Sequence, residues 1–326
     1  MSNLNKNLKN ARNNKEDEFY TQLSEIEKEI KHYRHHFKDK VVYCNADDPR
    51  VSNFFHYFSY NFEYLGLKKL ITTCYRSQQM DLFSQDNSDE AIYLEYNGEK
   101  NGSNIPTVEN IGIHQLKGNG DFRSEETIKL LKEADIVVTN PPFSLFREFV
   151  DQLIEYEKDF LIIGSLNAIT YKETFKLLKD NKVWLGINNG DMAFRVPDHY
   201  TPRKTRYWED ELGQKWRSMG NIGWYTNLDV SRRHEKLILY KKYTPEEYPK
   251  YNNYNIINVD KVADIPVDYE GIMGVPITFM HKHNPDQFEI LGIANSARWI
   301  GHECFTIIGD RKVYNRILIK NKEVKK

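Results

Sequence analysis

An apolar run, Ile136 to Thr139, leads straight into Asn140, Pro141, Pro142 and Phe143. These residue types in this order suit one task, the gripping of a planar amine. An exocyclic amine on a heteroaromatic ring is a weak nucleophile because its lone pair is delocalised into the ring. Two acceptors, the Asn140 side-chain oxygen and the Pro141 carbonyl, can take both of its N–H groups. They would turn the nitrogen towards a tetrahedral geometry and stabilise the positive charge that builds as a methyl group arrives. Consecutive prolines fix the backbone so that this carbonyl points outward. Phe143 offers a face on which an extruded base can stack. The bland alternative is an Asn-Pro turn with a core Phe. An Asn/Asp/Ser-Pro-Pro-aromatic run arises by chance in roughly one chain in a hundred of this length, and here it follows a buried-strand pattern, so the chemical reading is preferred.

The cysteines exclude a neighbouring chemistry. Methylation of a ring carbon such as cytosine C5 needs a thiolate, usually presented after a proline, but Tyr43, Thr73 and Glu303 precede Cys44, Cys74 and Cys304. Direct transfer to an amine needs no covalent intermediate. Three widely spaced cysteines without a C-x-x-C give neither a disulfide framework nor a zinc knuckle, so no metal is expected and a reducing cytoplasm fits.

The elements that must position this turn follow from periodicity. Apolar residues at Leu23, Ile26, Ile30 and Tyr33 predict an amphipathic helix within residues 22–37. A strand is expected at Val41 to Cys44, ending in the turn Asn45 to Pro49. A helix should follow over 51–64, then a short strand over 69–74. Residues 78–104 are polar and Asn/Ser/Gly-rich, which suggests a loop or hairpin excursion. Helix, strand, helix and strand are then expected at 127–132, 135–139, 144–156 and 160–164. Such alternation indicates an α/β fold with a mainly parallel sheet, and open sheets of this kind bind ligands at the carboxyl ends of their strands. Strand-like runs recur at 275–279, 288–293 and 316–319.

With 326 residues, 40% hydrophobic and 13% aromatic, the chain has ample material for a core, and no apolar run is long enough for a membrane span. Net charge is only −1, yet Arg195 to Lys242 holds eleven Lys/Arg against six Asp/Glu. There, Arg195, Arg203, Lys204, Arg206, Lys215, Arg217, Arg232 and Arg233 lie among Tyr207, Trp208, Trp216, Trp224 and Tyr225. Basic residues among aromatics suit phosphate neutralisation beside a flipped base. The aromatics are expected to be mostly core, with some arginines on phosphate. Lys6, Lys9, Arg12 and Lys15 form a basic arm that could add electrostatic contact.

A sulfonium cofactor would need a pocket at the ends of the first strands. Asp47 and Asp48 could meet its cationic end or its ribose, or could simply cap the following helix. Asp121 and Phe122, after Gly118-Asn119-Gly120, could border its adenine, or form a glycine turn with a core Phe. Phe19 to Gln22 is an aromatic pair in a polar arm, which locally reads as a segment packing back on the domain.

Taken in order, these stretches resemble the EcoRI-type adenine-specific DNA methylases of restriction-modification systems. The match runs through residues 17–22, 41–45, 47–55, 65–70, 120–124, 135–145, 184–186, 226–229 and 271–279, and is patchier over 188–250 and after about 293. The resemblance implies a Rossmann-like methyltransferase fold that uses S-adenosylmethionine and acts on N6 of an adenine flipped from duplex DNA. It implies that Phe19, Tyr20, Thr21 and Gln22 contact the methionine part of the cofactor, that Asn45, Asp47, Asp48 and Pro49 replace the usual glycine-rich motif, and that Asp121 and Phe122 border the cofactor adenine. Asn140, Pro141, Pro142 and Phe143 would hold the target base. No acid ends the second strand, where Thr73-Cys74-Tyr75 stands, so the ribose contact is unassigned. The expected organisation is a disordered basic arm (1–15), a catalytic core (16–187), a DNA target-recognition region (188–250) and a C-terminal part that completes the core sheet (251–326). Arg195, Arg203, Lys204, Arg206, Arg217, Arg232 and Arg233 are the expected DNA contacts. A monomer is expected, with a cognate restriction endonuclease that shares the target without a stable complex. RNA or a protein glutamine amide as substrate, or a non-catalytic DNA-binding module, are the alternatives.

Overall fold

Short runs of β-branched and apolar residues that are buried on both faces build parallel sheets, and four such runs make the centre of this one. The computed structural model describes residues 20–45, 48–50, 52–74, 91–99, 106–196, 198, 200–294 and 306–325. The basic arm, Phe19, Asp47 and Cys304 lie outside them. The chain divides into two compact units, one of Met1–Leu166 with Gly186–Leu228 and one of Asn167–Leu185 with Asp229–Lys326.

In the first unit the chain order is β1 (Tyr20–Thr21), α1 (Leu23–Ile30), β2 (Val41–Cys44), α2 (Asn53–Tyr60), α3 (Phe62–Leu65), β3 (Lys69–Thr73), β4 (Ile92–Tyr96), α4 (Val108–Ile111) and β5 (His114–Gln115). There follow α5 (Glu125–Glu133), β6 (Ile136–Thr139), α6 (Phe146–Glu155) and β7 (Asp159–Ser165). Helix α7 (Lys172–Lys179) belongs to the second unit, after which β8 (Trp184–Arg195), β9 (Tyr207–Glu209) and β10 (Lys215–Thr226) return to the sheet. Strand order is β1-β8-β10-β7-β6-β2-β3-β4-β5, with β9 paired to β10. β7, β6, β2 and β3 are mutually parallel. Around them β10 on β7, β1 on β8, β4 on β3 and β5 on β4 are antiparallel.

Local chemistry sets the helix boundaries. Ser52 caps α2 by accepting the Phe55 N–H, and Ser124 caps α5 by accepting that of Thr127. Glu125 and Glu126 stand in the first turn of α5 and Lys132 in its last, matching the helix dipole. The expected strands at 41–44, 69–74, 135–139 and 160–164 are present within a residue or two. β4 lies inside the segment read as an excursion, as one arm of a hairpin with β3.

Two expectations are corrected. The early part of the segment taken as an insertion, 188–226, supplies two twelve-residue strands of the large sheet itself. The strands after residue 251 do not complete that sheet. β11 (Ile257–Asn258), β12 (Met273–Pro276), β16 (Arg316–Asn321) and β13 (Phe288–Ala294) form a separate four-stranded sheet in that order, and β14 (Ile307–Ile308) pairs only with β15 (Arg311–Lys312). Periodicity identifies a strand but carries no address for its partner. This second unit has its own core, with Phe175, Leu178, Met273, Val275, Phe279, Phe288, Ile317 and Ile319 all buried. Among the described residues no helix is long and apolar enough to cross a membrane.

Candidate active site

The chain runs from β2 to β3 on one side and later returns to β6 on the other, so the sheet changes direction between β2 and β6. A crevice opens at such a switch point, beyond the carboxyl ends of the strands. Asn45 follows β2 directly, and Asn140 follows β6 directly. The parallel register Tyr43↔Val137 brings these two ends level. Asp135 anchors the pair at the other end, its carboxylate accepting the Val41 N–H at 2.8 Å.

Asn140 and Pro141 are buried at the end of β6, and Pro142, Phe143 and Ser144 are half-buried. Pro142 has the extended φ/ψ of −54° and 124°, and its carbonyl accepts the Leu145 N–H at 2.9 Å, opening a 3-10 turn into α6. The turn therefore presents Phe143 at a helix start, while the core beneath is closed by Phe146 and Phe149, each almost fully buried.

The segment before α1 comes to the same end of the sheet. The Thr21 carbonyl accepts the Asn53 side-chain N–H at 2.8 Å, in the first turn of α2. Thr21 Oγ1 and Asn45 Oδ1 are buried polar atoms with no hydrogen-bond partner among the described residues. Buried oxygens of this kind are costly without a partner, and they fit a site built around a polar ligand. Gln22 stands at the start of α1, its carbonyl accepting Glu25 and Ile26 N–H. Tyr20 pairs through its backbone with Arg195. Pro49 is buried, and so is Asp48, whose carboxylate accepts the Arg50 backbone N–H at 2.9 Å and grips the Arg50 guanidinium. That contact shapes the start of α2.

Gly120 carries Asp121 and Phe122 to the end of β3. Its φ is +74°, and a Cβ there would stand 2.3 Å from the Cys74 carbonyl, so only glycine permits the approach. Asp121 holds Arg123 through two hydrogen bonds of 2.8 and 2.7 Å, and these hold the Arg123 charge well above its ordinary range. Phe122 is 9% exposed and packs edge-to-face on Phe149, ring centroids 5.2 Å apart. Arg123 also lies over the ring at 5.1 Å, so little of Phe122 is left for a ligand.

The basic residues separate. Arg195, Arg203, Lys204, Arg206 and Arg217 belong to the first unit, Arg232 and Arg233 to the second. Arg203 lies over the Tyr200 ring at 5.8 Å, Arg206 pairs with Asp191 at 3.3 Å, and Arg217 donates to the Thr205 carbonyl at 2.7 Å. The aromatics divide as well. Trp224 and Tyr225 are fully buried, whereas Trp208 and Trp216 stack on each other across β9 and β10, with Trp208 41% exposed.

Sequence reasoning passed over Glu29. It is fully buried in α1, where Oε1 accepts the Ile187 N–H at 2.8 Å and the Tyr33 hydroxyl at 3.0 Å, and Oε2 accepts the Asn188 N–H at 2.7 Å and its side-chain amide at 2.8 Å. Burial pushes its carboxyl above the ordinary value against the pull of these four donors. The available signal was its place within the Ile26, Ile30 and Tyr33 stripe, on the buried face of the helix.

A sheet with this switch point, an Asn-Pro-Pro-Phe turn after β6 and buried unpartnered oxygens beside the end of β2 defines a Rossmann-like methyltransferase. The chain belongs to the EcoRI family of adenine-specific methyltransferases, whose family model matches residues 7–325. It is 52% identical over 326 residues to the type II methyltransferase M.EcoRI of Escherichia coli, covering 99% of this chain and 98% of that one. It is also 38% identical over 287 residues to the type II methyltransferases M.MgeORF184P of Mycoplasma genitalium and M.MpnI of Mycoplasma pneumoniae, covering 86% of this chain and 84% and 83% of theirs. No solved structure matches the chain.

Proposed function

We propose that this adenine-specific methyltransferase modifies duplex DNA, as the modification enzyme of a type II restriction-modification system, at N6 of an adenine flipped out of the helix. The observation that carries this reading is the position of Asn140 to Phe143 directly beyond β6, beside the end of β2 at the switch point. Asn140 and the Pro141 carbonyl accept the two N6 hydrogens, and Phe143 stacks on the extruded base. A paired adenine keeps N6 inside the duplex, so extrusion is required. S-adenosylmethionine, when bound, supplies an electrophilic methyl group.

The residues that would hold this donor are Phe19 to Gln22, Asn45, Asp47 to Pro49, Asp121 and Phe122, and the unpartnered Thr21 Oγ1 and Asn45 Oδ1 suit its polar methionine end. Arg195, Arg203, Lys204, Arg206, Arg217, Arg232 and Arg233 neutralise DNA phosphates, within a target-recognition region over 188–250. The enzyme works in the cytoplasm as a monomer, and a cognate endonuclease reads the same site without a stable complex.

The test is Asn140→Ala. Methyl transfer to duplex DNA should fall by about 100-fold or more, as when one charge-stabilising donor or acceptor is removed, while S-adenosylmethionine binding measured by calorimetry is retained. Undiminished DNA methylation by this variant would sink the assignment, and equal methylation of RNA or protein by the parent chain would redirect it.

A further inference from the structure

Helix α6 is shared by two parts of the site. It continues from the 3-10 turn Phe143–Leu145, which the Asn140–Phe143 segment runs into, and it extends over Phe146–Glu155. Glu148, Phe149 and Gln152 stand on one face of this helix, and all three meet residues 122 and 123. Glu148 Oε2 accepts from Arg123 Nη1 at 2.7 Å, Phe149 packs edge-to-face on Phe122 at 5.2 Å, and Gln152 Nε2 donates to the Phe122 carbonyl at 2.9 Å. These residues all belong to the first unit.

The polar contacts differ in weight. Arg123 and Glu148 are 45% and 57% exposed at their side chains, so water screens their pair. Gln152 is 9% exposed, and its bond to Phe122 is buried. For stability alone a glutamine is a poor choice here. Its Oε1 is a buried acceptor with no hydrogen-bond partner among the described residues. The net gain from one hydrogen bond is no larger than the cost of a buried acceptor left unmade. What the side chain does achieve is to hold one atom, the Phe122 carbonyl.

That bond completes the fixing of a turn. The Asp121 carbonyl accepts from Thr127 Oγ1 at 2.6 Å and from the Ser124 N–H at 2.9 Å, and the Asp121 N–H donates to Asn119 Oδ1 at 3.0 Å. Gln152 adds the next carbonyl and ties it to α6. The Phe122 N–H has no acceptor among the described residues. With its ring largely covered, the turn keeps this main-chain donor for an acceptor such as a purine ring nitrogen.

We propose that Gln152 is a positioning residue that docks the Asp121–Phe122 turn of the cofactor site on α6. The same helix starts where the target-base turn ends, so the bond fixes the spacing between methyl donor and target amine. A displacement of about 1 Å between reacting groups can cost about 100-fold in rate. The inference rests on the cofactor and DNA readings above and adds the contact that keeps their two sites aligned.

The experiment uses the full chain, with S-adenosylhomocysteine as the calorimetric probe. Gln152→Met keeps the length of the side chain and removes the donor together with the unbonded Oε1. Its urea midpoint should stay near that of the parent chain, while probe affinity falls by about 5- to 10-fold, the order of one hydrogen bond. In Gln152→Glu a protonated carboxyl can donate to the Phe122 carbonyl and an ionised one cannot, and burial raises the pKa of such a group. Its affinity relative to the parent should therefore recover as pH is lowered from about 8 to about 5.5, a pattern that a merely structural role would not produce. Single-turnover methyl transfer to duplex DNA by Gln152→Met, at saturating S-adenosylmethionine, should fall by about 10-fold or more. Parent-like affinity in Gln152→Met, or a Gln152→Glu profile parallel to that of the parent, would overturn the positioning role. Weaker binding with an undiminished single-turnover rate would overturn the link through α6. Should the methionine variant fail to fold, the glutamate profile decides. A parent chain that binds no S-adenosylhomocysteine would instead remove the cofactor reading, and the proposal with it.

Discussion

The four parallel strands β3, β2, β6 and β7 are held differently from the antiparallel flank of β10, β8 and β1. In the parallel part, apolar side chains are buried along nearly every residue, as in Val41–Cys44, Ile136–Thr139 and Phe160–Gly164. In the flank, side chains do work that backbone pairing does elsewhere. Glu29 receives the Ile187 and Asn188 N–H groups, Asn189 receives the Trp224 N–H at 3.1 Å, and Asn227 receives that of Phe160 at 2.8 Å. Gly186 fits only because it lacks a side chain, since a Cβ would stand 2.3 Å from Glu29 Oε1. The proposed reaction chemistry falls on the part whose rigidity comes from dense apolar packing, and the flank is pinned by a few buried polar groups.

The largest effect should come from the parallel part. Phe160→Ala empties a fully buried position in β7 while leaving the backbone bonds to Asn227 and Thr226 in place. A loss of about 3–5 kcal/mol is expected, read as a lower urea midpoint at constant m value. A loss below about 1 kcal/mol would break the comparison, because the apolar packing would then not be what holds these strands.

Glu29→Gln probes the flank. All four donors point at the two carboxylate oxygens, and an amide turns one of those acceptors into a donor facing donors. The expected cost is about 1–3 kcal/mol, that of leaving buried groups unsatisfied. The pH dependence sharpens the test. A carboxyl whose folded value is raised binds its proton more tightly in the native state, so its contribution is fully present below about 4.3 and is lost as pH rises through the folded value. Stability of the parent chain should therefore fall over that window relative to Glu29→Gln, as measured by urea unfolding at several pH values. Parallel profiles would mean that Glu29 is not the titrating pin.

This difference also explains what could be read in advance. Continuous apolar runs revealed β2, β3, β6 and β7 almost to the residue, and with them the crevice and Asn140. β8 was hidden because Gly186, Asn188, Asn189 and Gly190 interrupt any alternation, and because the group that satisfies two of its N–H donors is Glu29, far away in sequence. Thr21 reaches the site through a bond to Asn53, 32 residues away, which no local pattern encodes. The final sheet was legible strand by strand, but its separation from the central one was not.

The smallest expected effect lies at the outer end of the flank, in the β9–β10 hairpin. Asp210 Oδ1 accepts the Leu212 and Gln214 N–H groups at 3.0 and 2.9 Å, and Oδ2 accepts the Trp216 indole N–H at 2.9 Å. The indole bond first, with those backbone bonds and the Arg195 charge, holds its carboxyl below the ordinary value against the opposing effect of burial. A lowered folded value means that the stabilisation is present above about 3.9 and is lost as pH falls through the folded value. Asp210→Ala should leave global unfolding nearly unchanged, because the hairpin is exposed and contributes little to the core. It should still free the Trp216 ring from its stack on Trp208, giving red-shifted, more quenchable tryptophan emission at neutral pH. The parent chain should reach the same emission only in acid, before global unfolding. A shift in the global urea midpoint as large as that of Glu29→Gln would show that the flank is pinned from its tip as much as from its base.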